Sequence, residues 1–236
     1  MAFPFYLAQT WGEFSACSIA PQPMAWMACH FSSYGSGLSN LPPALPPGSM
    51  VILNDRIPIH GHDPARITDQ LHTLIERTQA VCVLLDLQRP DEPEASGIAA
   101  ALVASLPCPV GVAESYAAPL NCPVFLSPPP PHALPEAWLA PWQGREIWLD
   151  AACTGSLIRV TEAGSLFLPP EEENDFPFED QQLLCHYRTQ IKDKEIRFHL
   201  RRTEADLKKL LQKAETLGVT RSVGLYQELG AFDPFN

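Results

Sequence analysis

No segment of this chain comes near eighteen uninterrupted apolar residues, so a membrane-spanning helix is excluded. The first residues, Met1-Ala2-Phe3-Pro4-Phe5-Tyr6, carry no basic region ahead of a long apolar core, and no signal peptide is expected. Basic residues are scarce: 16 Lys and Arg against 27 Asp and Glu leave a net charge of -11. That balance argues against nucleic acid and anionic membrane as partners. The seven cysteines (17, 29, 82, 108, 122, 153 and 185) are odd in number, scattered, and without a Cys-x-x-Cys pair. They read as small buried hydrophobes of a reducing cytoplasm, not as a disulfide framework or a zinc site. No Gly-x-Gly-x-x-Gly turn or Gly-Lys-Ser/Thr loop follows a strand, and no Gly-x-Ser-x-Gly elbow is present. A nucleotide fold therefore has no support, and no cofactor is expected. His60, His62 and Asp63 lie close in sequence, but His-x-His ahead of a helix cap reads as a surface loop, and no metal is assigned.

Proline is abundant, with 25 residues clustered in loops such as 41–48 and 127–135. Each cluster is short and bounded by strand patterns, so it reads as rigid punctuation on a globular body. Mostly apolar strand patterns stand at 24–31, 49–55, 81–87, 109–114, 123–127, 146–150 and 221–226, the run from Val81 to Leu85 being unbroken. Runs of this kind, separated by helical periodicity, indicate parallel strands buried on both faces. Helices are expected from Asp63-Pro64, an N-cap followed by proline, to about Arg77, then around Ile98–Leu106, and from the capping-box pattern Thr203–Asp206 to Gly218. Two hairpins are expected, turning at 162–164 and 192–194. The link between the strands at 109–114 and 123–127 is too short for a crossover helix, and the acidic run 171–175 reads as a solvated loop.

About eight strands in alternation with helices predict an α/β fold, a (β/α)8 TIM-like barrel with a shortened helix and hairpin insertions. The whole chain, 1–236, is read as one barrel domain, with 1–23 an extension packed on its outside and 156–201 the insertions. In such a barrel the strand C-termini converge on one mouth. Asp55, Asp86, Glu114, Asp150 and Glu228 all stand at predicted strand ends, so five carboxylates are expected there. Carboxylates at strand ends also cap helices, which is the alternative for any one of them. Arg56, Gln88, Arg89, Tyr116, Tyr226 and Gln227 lie beside them as candidate ligand-binding groups. An acidic mouth with amides and aromatics suits a sugar better than a phosphorylated substrate, which would need a basic or glycine-rich nest.

The run Leu84-Leu85-Asp86-Leu87-Gln88-Arg89-Pro90 resembles the catalytic strand of family 18 glycoside hydrolases, the chitinase-like barrels, whose motif is D-x-x-D-x-D-x-E. The hairpin at 194–200, the helix at 203–217 and the closing strand at 218–230 are similar to that family's C-terminal part, so the likeness spans about 24–230. Carried across, Asp86 matches the motif's last aspartate, while Val81 and Leu84 replace the first two. Gln88 falls at the acid glutamate. The resemblance implies a glycan-type ligand. It also implies loss of the family's substrate-assisted hydrolysis, since an amide has no proton to donate near neutral pH. On the closing strand, Leu225-Tyr226-Gln227 stands where the family places a tryptophan. Two other readings stay open: a hydrolase with relocated carboxylates, Glu114 acting with Asp86 or Glu228, and a non-catalytic interaction barrel whose mouth is plugged.

Overall fold

The computed structural model describes residues 3–16, 22–33, 35, 37–89, 92–172, 175–230 and 232. Pro90, Cys17 and Glu173-Asn174, which figure in the expectations above, lie outside them. In chain order the elements are β1 (Phe5–Gln9), α1 (Trp11–Ala16), β2 (Ala25–Phe31), β3 (Leu38–Ser39), β4 (Met50–Asn54), α2 (Pro64–Thr78), β5 (Cys82–Asp86), α3 (Pro93–Ser105), β6 (Val110–Ala113), α4 (Glu114–Ala117), β7 (Val124–Leu126), α5 (Pro135–Leu139), β8 (Ile147–Ala151), β9 (Gly155–Thr161), β10 (Gly164–Leu168), β11 (Phe178–Asp180), β12 (Cys185–Lys192), β13 (Glu195–Arg201), α6 (Glu204–Thr216), β14 (Val219–Leu225) and α7 (Tyr226–Leu229).

Strands β1, β2, β4, β5, β6, β7, β8 and β14 pair in parallel, and the additional pairing of β1 with β2 closes them into a barrel. β3 adds an antiparallel edge to β2. The expectation that 1–23 packs on the outside is corrected here: Phe5–Gln9 is a stave, seated between β14 and β2. Its sequence misled because Tyr6 and Ala8 alone face the barrel interior, too short a pattern to read as a period.

Side-chain alternation sorts the core into two parts. Val51, Leu53, Val83 and Leu85 point outward under the helices, while Met50, Ile52, Cys82 and Leu84 point inward and fill the barrel. Trp148 fills the centre, fully buried. It fits because β6 offers Gly111 opposite it; a Cβ there would collide with the indole ring. Below, the Trp148 Nε1–H donates to Glu146 at 2.9 Å, and the Arg221 guanidinium pairs with the same carboxylate at 2.5 Å.

The helices are uneven. α2 starts as expected, the Asp63 carboxylate accepting from the Ala65 N–H. α6 carries the full reciprocal capping box of Thr203 and Asp206. The β6–β7 link holds only the four-residue α4, and the described residues between β2 and β4 contain no helix. Strands β9 to β13, between β8 and α6, form one five-stranded antiparallel sheet, so both expected hairpins belong to a single insertion. Buried Arg202, just past β13, ties it down. Its guanidinium donates to the Pro129, Leu183 and Leu184 carbonyls and to the Thr154 hydroxyl. The run of prolines at 128–131 is thus an internal brace.

Candidate functional site

Above the Trp148 plug the barrel opens into a cavity of about 1070 Å³. Its floor is set by strand parity. Leu84 and Asp86 follow one another on the inward face of β5, Gln88 continues that face beyond the strand, and Asp150 stands above Trp148 on β8. The Gln88 amide donates to Asp86 Oδ1, and apolar Leu84 lies beneath with 1% exposure. The side chain beneath Asp86 is thus apolar, and the charged group acting on it, Asp55, is an anion. Burial raises its pKa, as does the nearby Asp55 carboxylate, against the bond from Gln88. Asp150 is pushed up to about 7, first by burial and then by Asp86 and Glu228, with only the Ala151 N–H opposing.

Asp55 also lines the cavity, though past the end of β4, and it is held in place. Its carboxylate accepts from the Arg89 N–H at 2.7 Å, while the Arg89 side chain donates back to the Asp55 and Arg56 carbonyls. The Tyr116 hydroxyl in turn donates to the Arg89 carbonyl. Arg89 and Tyr116, expected as ligand groups, thus stand outside the lining and brace Asp55, whereas Arg56 lines the mouth.

Glu114 is displaced from the expected mouth cluster. Gly111 faces inward, so the alternation turns residue 114 away, and Glu114 opens α4 exposed and outside the lining. Tyr226, Gln227 and Glu228 form α7 instead of extending β14, and none of them lines the cavity. Gln227 bonds the Glu13 carboxylate, and Glu228 acts on Asp150 only through its charge.

The remaining wall comes from residues to which the sequence reading gave no role. Trp11, 53% exposed, stands edge-on to Trp26 with ring centroids 5.7 Å apart. Trp26 is anchored through its Nε1–H to the Asn40 carbonyl at 2.9 Å. His30 lies beside them. Its Nδ1 donates to the Phe31 carbonyl at 2.8 Å, and its Nε2 lies 3.0 Å from the Asn40 side-chain amide. Both ring nitrogens are thus held by neighbouring polar groups. The signal available was Trp11 itself, directly after a short apolar run, but without β1 recognised as a stave nothing placed it at the mouth.

The chain thus forms an eight-stave parallel barrel with an antiparallel sheet inserted after its seventh stave, and solved structures resemble its overall fold. The spore cortex-lytic enzyme SleL of Bacillus megaterium superposes with a TM-score of 0.52 at 10% identity, over 99% of this chain and 72% of that one. A chitinase from Chromobacterium violaceum gives 0.51 at 11% identity, over 98% and 96%. The chitinase-like agglutinin of Robinia pseudoacacia gives 0.50 at 11% identity, over 94% of each. The fold is that of the chitinase-like barrels. No protein-family model matches the sequence and no curated protein does, so the likeness to chitinase-like barrels is one of fold. In this chitinase-like barrel the motif-like run lies on β5, the fourth stave counted from β1.

Proposed function

We propose that this barrel binds a glycan at its mouth without the hydrolysis typical of family 18. The observation that carries the reading is the pairing of Gln88 with Asp86 over Leu84. The position that resembles the acid glutamate holds an amide, and its side chain is committed to the neighbouring carboxylate. The cavity supports a sugar ligand: an exposed indole offers a face for a pyranose ring, and Asn54, His30 and Arg56 stand around the rim. One structural neighbour is by name a chitinase-like agglutinin, which fits a barrel used for binding. The six described cysteines are free thiols, in keeping with the expected cytoplasmic setting. Titration with N-acetylglucosamine oligomers and peptidoglycan fragments tests the proposal. Saturable binding that weakens on Trp11→Ala is expected, and no binding at millimolar concentration would overturn it.

One observation favours a second reading, in which the barrel hydrolyses glycosides with a relocated acid. Burial and two anions push Asp150 up to about 7, the range a glycosidase's acid needs, and Asp86 lines the same cavity as a second carboxyl. Glu114, the acid expected from sequence, lies outside the cavity, so Asp150 takes its place in this alternative. Turnover of a chromogenic oligosaccharide by the parent protein, lost on Asp150→Asn, would establish it; no turnover across pH 4–8 would remove it.

A further inference from the structure

Among the described residues, no basic group acts on the two deepest carboxylates of the mouth, Asp86 and Asp150. Asp55, Asp86 and Asp150 line one cavity; the charged group acting on Asp86 is Asp55, and those acting on Asp150 are Asp86 and Glu228, all anionic. The basic groups nearby are engaged or turned away. Arg89 spends its guanidinium on two backbone carbonyls. His30 has both ring nitrogens engaged by Phe31 and Asn40, and neither it nor exposed Arg56 is among the groups acting on either acid. On α1, Glu13 is taken by Thr10 and Gln227. β7 contributes Phe125 and Ser127, neither of them charged. A buried carboxylate pair without a counter-ion is stabilised by whatever positive group reaches it, and an ammonium that hydrogen-bonds both acids does so most strongly.

Resting on the glycan reading above, we infer that the ligand is a sugar oligomer bearing free amines, a de-N-acetylated hexosamine chain, with one ammonium seated between Asp86 and Asp150 and a flanking ring on Trp11. Burial and mutual repulsion keep a proton on this pair up to near neutral pH. Docking the ammonium favours both carboxylates ionised. The displaced proton passes from Asp150 to the buffer, and no bond in the sugar is made or broken. Below pH 7 binding therefore releases up to one proton, and above the amine's own pKa the preference disappears.

The test is calorimetric titration of the full chain with glucosamine tetramer and with N-acetylglucosamine tetramer at pH 6.5, in two buffers of different ionisation enthalpy. We expect the amino tetramer to bind at least about tenfold more tightly, the scale of one charge-assisted hydrogen bond, with proton release for that ligand alone. Asp150→Asn and Asp86→Asn, each confirmed as folded by its unfolding transition, should abolish the preference and the proton release. Equal or tighter binding of the N-acetylated tetramer would overturn this inference and leave the glycan reading standing. A preference that survives both substitutions would also overturn it, because the ammonium would then sit elsewhere. Failure of both tetramers and of peptidoglycan fragments to bind would remove the glycan reading and this inference together.

Discussion

At Asp150 the fold opposes ionisation through burial and two neighbouring anions, and the cost can be read as stability. Its folded-state pKa of about 7 lies above the ordinary 3.8, so between those values the native state holds a proton that the unfolded chain has released. Stability is therefore highest near pH 4 and falls as pH rises to 7, by on the order of 4 kcal/mol if this group acted alone. Asp150→Asn should leave urea unfolding at pH 4 nearly unchanged and raise stability at pH 8 by about 1–4 kcal/mol. An equal effect at both values would contradict the assignment. Two residues beyond Asp86, Gln88→Glu would restore a carboxyl at the acid position but over Leu84, without the buried partner that tunes it. Release of a chromophore from N-acetylglucosamine oligomers should stay weak at best in that variant. At Gly111, substitution by alanine drives a methyl into the Trp148 ring. A destabilisation of about 1–3 kcal/mol in denaturant unfolding is expected, unless Trp148 is shortened in the same protein.

Elements were legible where one rule governed them. The α6 cap was readable from Thr203 and Asp206 because a reciprocal cap needs only four consecutive residues. Asp206 gains more from the fold than the cap itself. Burial would raise its pKa, but the Thr203 N–H, the His186 ring and the Thr203 hydroxyl outweigh it and hold the carboxylate low. Thr203→Ala should cost about 1 kcal/mol at pH 7. The loss should shrink as pH falls through the carboxylate's folded pKa, since a protonated Asp206 accepts these bonds poorly; thermal unfolding at pH 7 and pH 3 would show it. The strand ends were harder. Residues 226–229 follow β14 directly yet coil into α7, and Gly224 lets the Leu229 side chain approach to 2.6 Å of where a Cβ would stand. That contact is tertiary and no local pattern announces it, so Tyr226, Gln227 and Glu228 were placed at the mouth when the chain turns them aside.

Across the whole molecule, the barrel class was readable from repeated apolar runs, and the acidic floor followed from their ends: Asp55, Asp86 and Asp150 meet as expected. The aromatic wall was not, because Trp11, at the start of α1, and Asn40, just past β3, reach the cavity only once β1 closes the barrel. The same holds for Arg202, whose sequence context reads as a surface charge after a hairpin. It is fully buried and holds the insertion to the proline brace of the barrel. Arg202→Met should destabilise the protein by about 3–5 kcal/mol, since several carbonyls lose their donor. Arg202→Lys should recover little of this, as one ammonium cannot span acceptors set for a planar fork. Chemical denaturation of the two variants checks both values.

The closure of β1 against β14 joins strands more than two hundred residues apart in sequence, with Phe5 opposite Ser222 and Ala8 opposite Leu225. During synthesis the first stave therefore waits, one edge unsatisfied, until the last one leaves the ribosome. Until then the mouth has no complete rim, and Trp11, carried just beyond that stave, has no cavity to face. The cavity is thus completed in a single late event, and any chain released before Val219–Leu225 holds the floor of the candidate site without its wall.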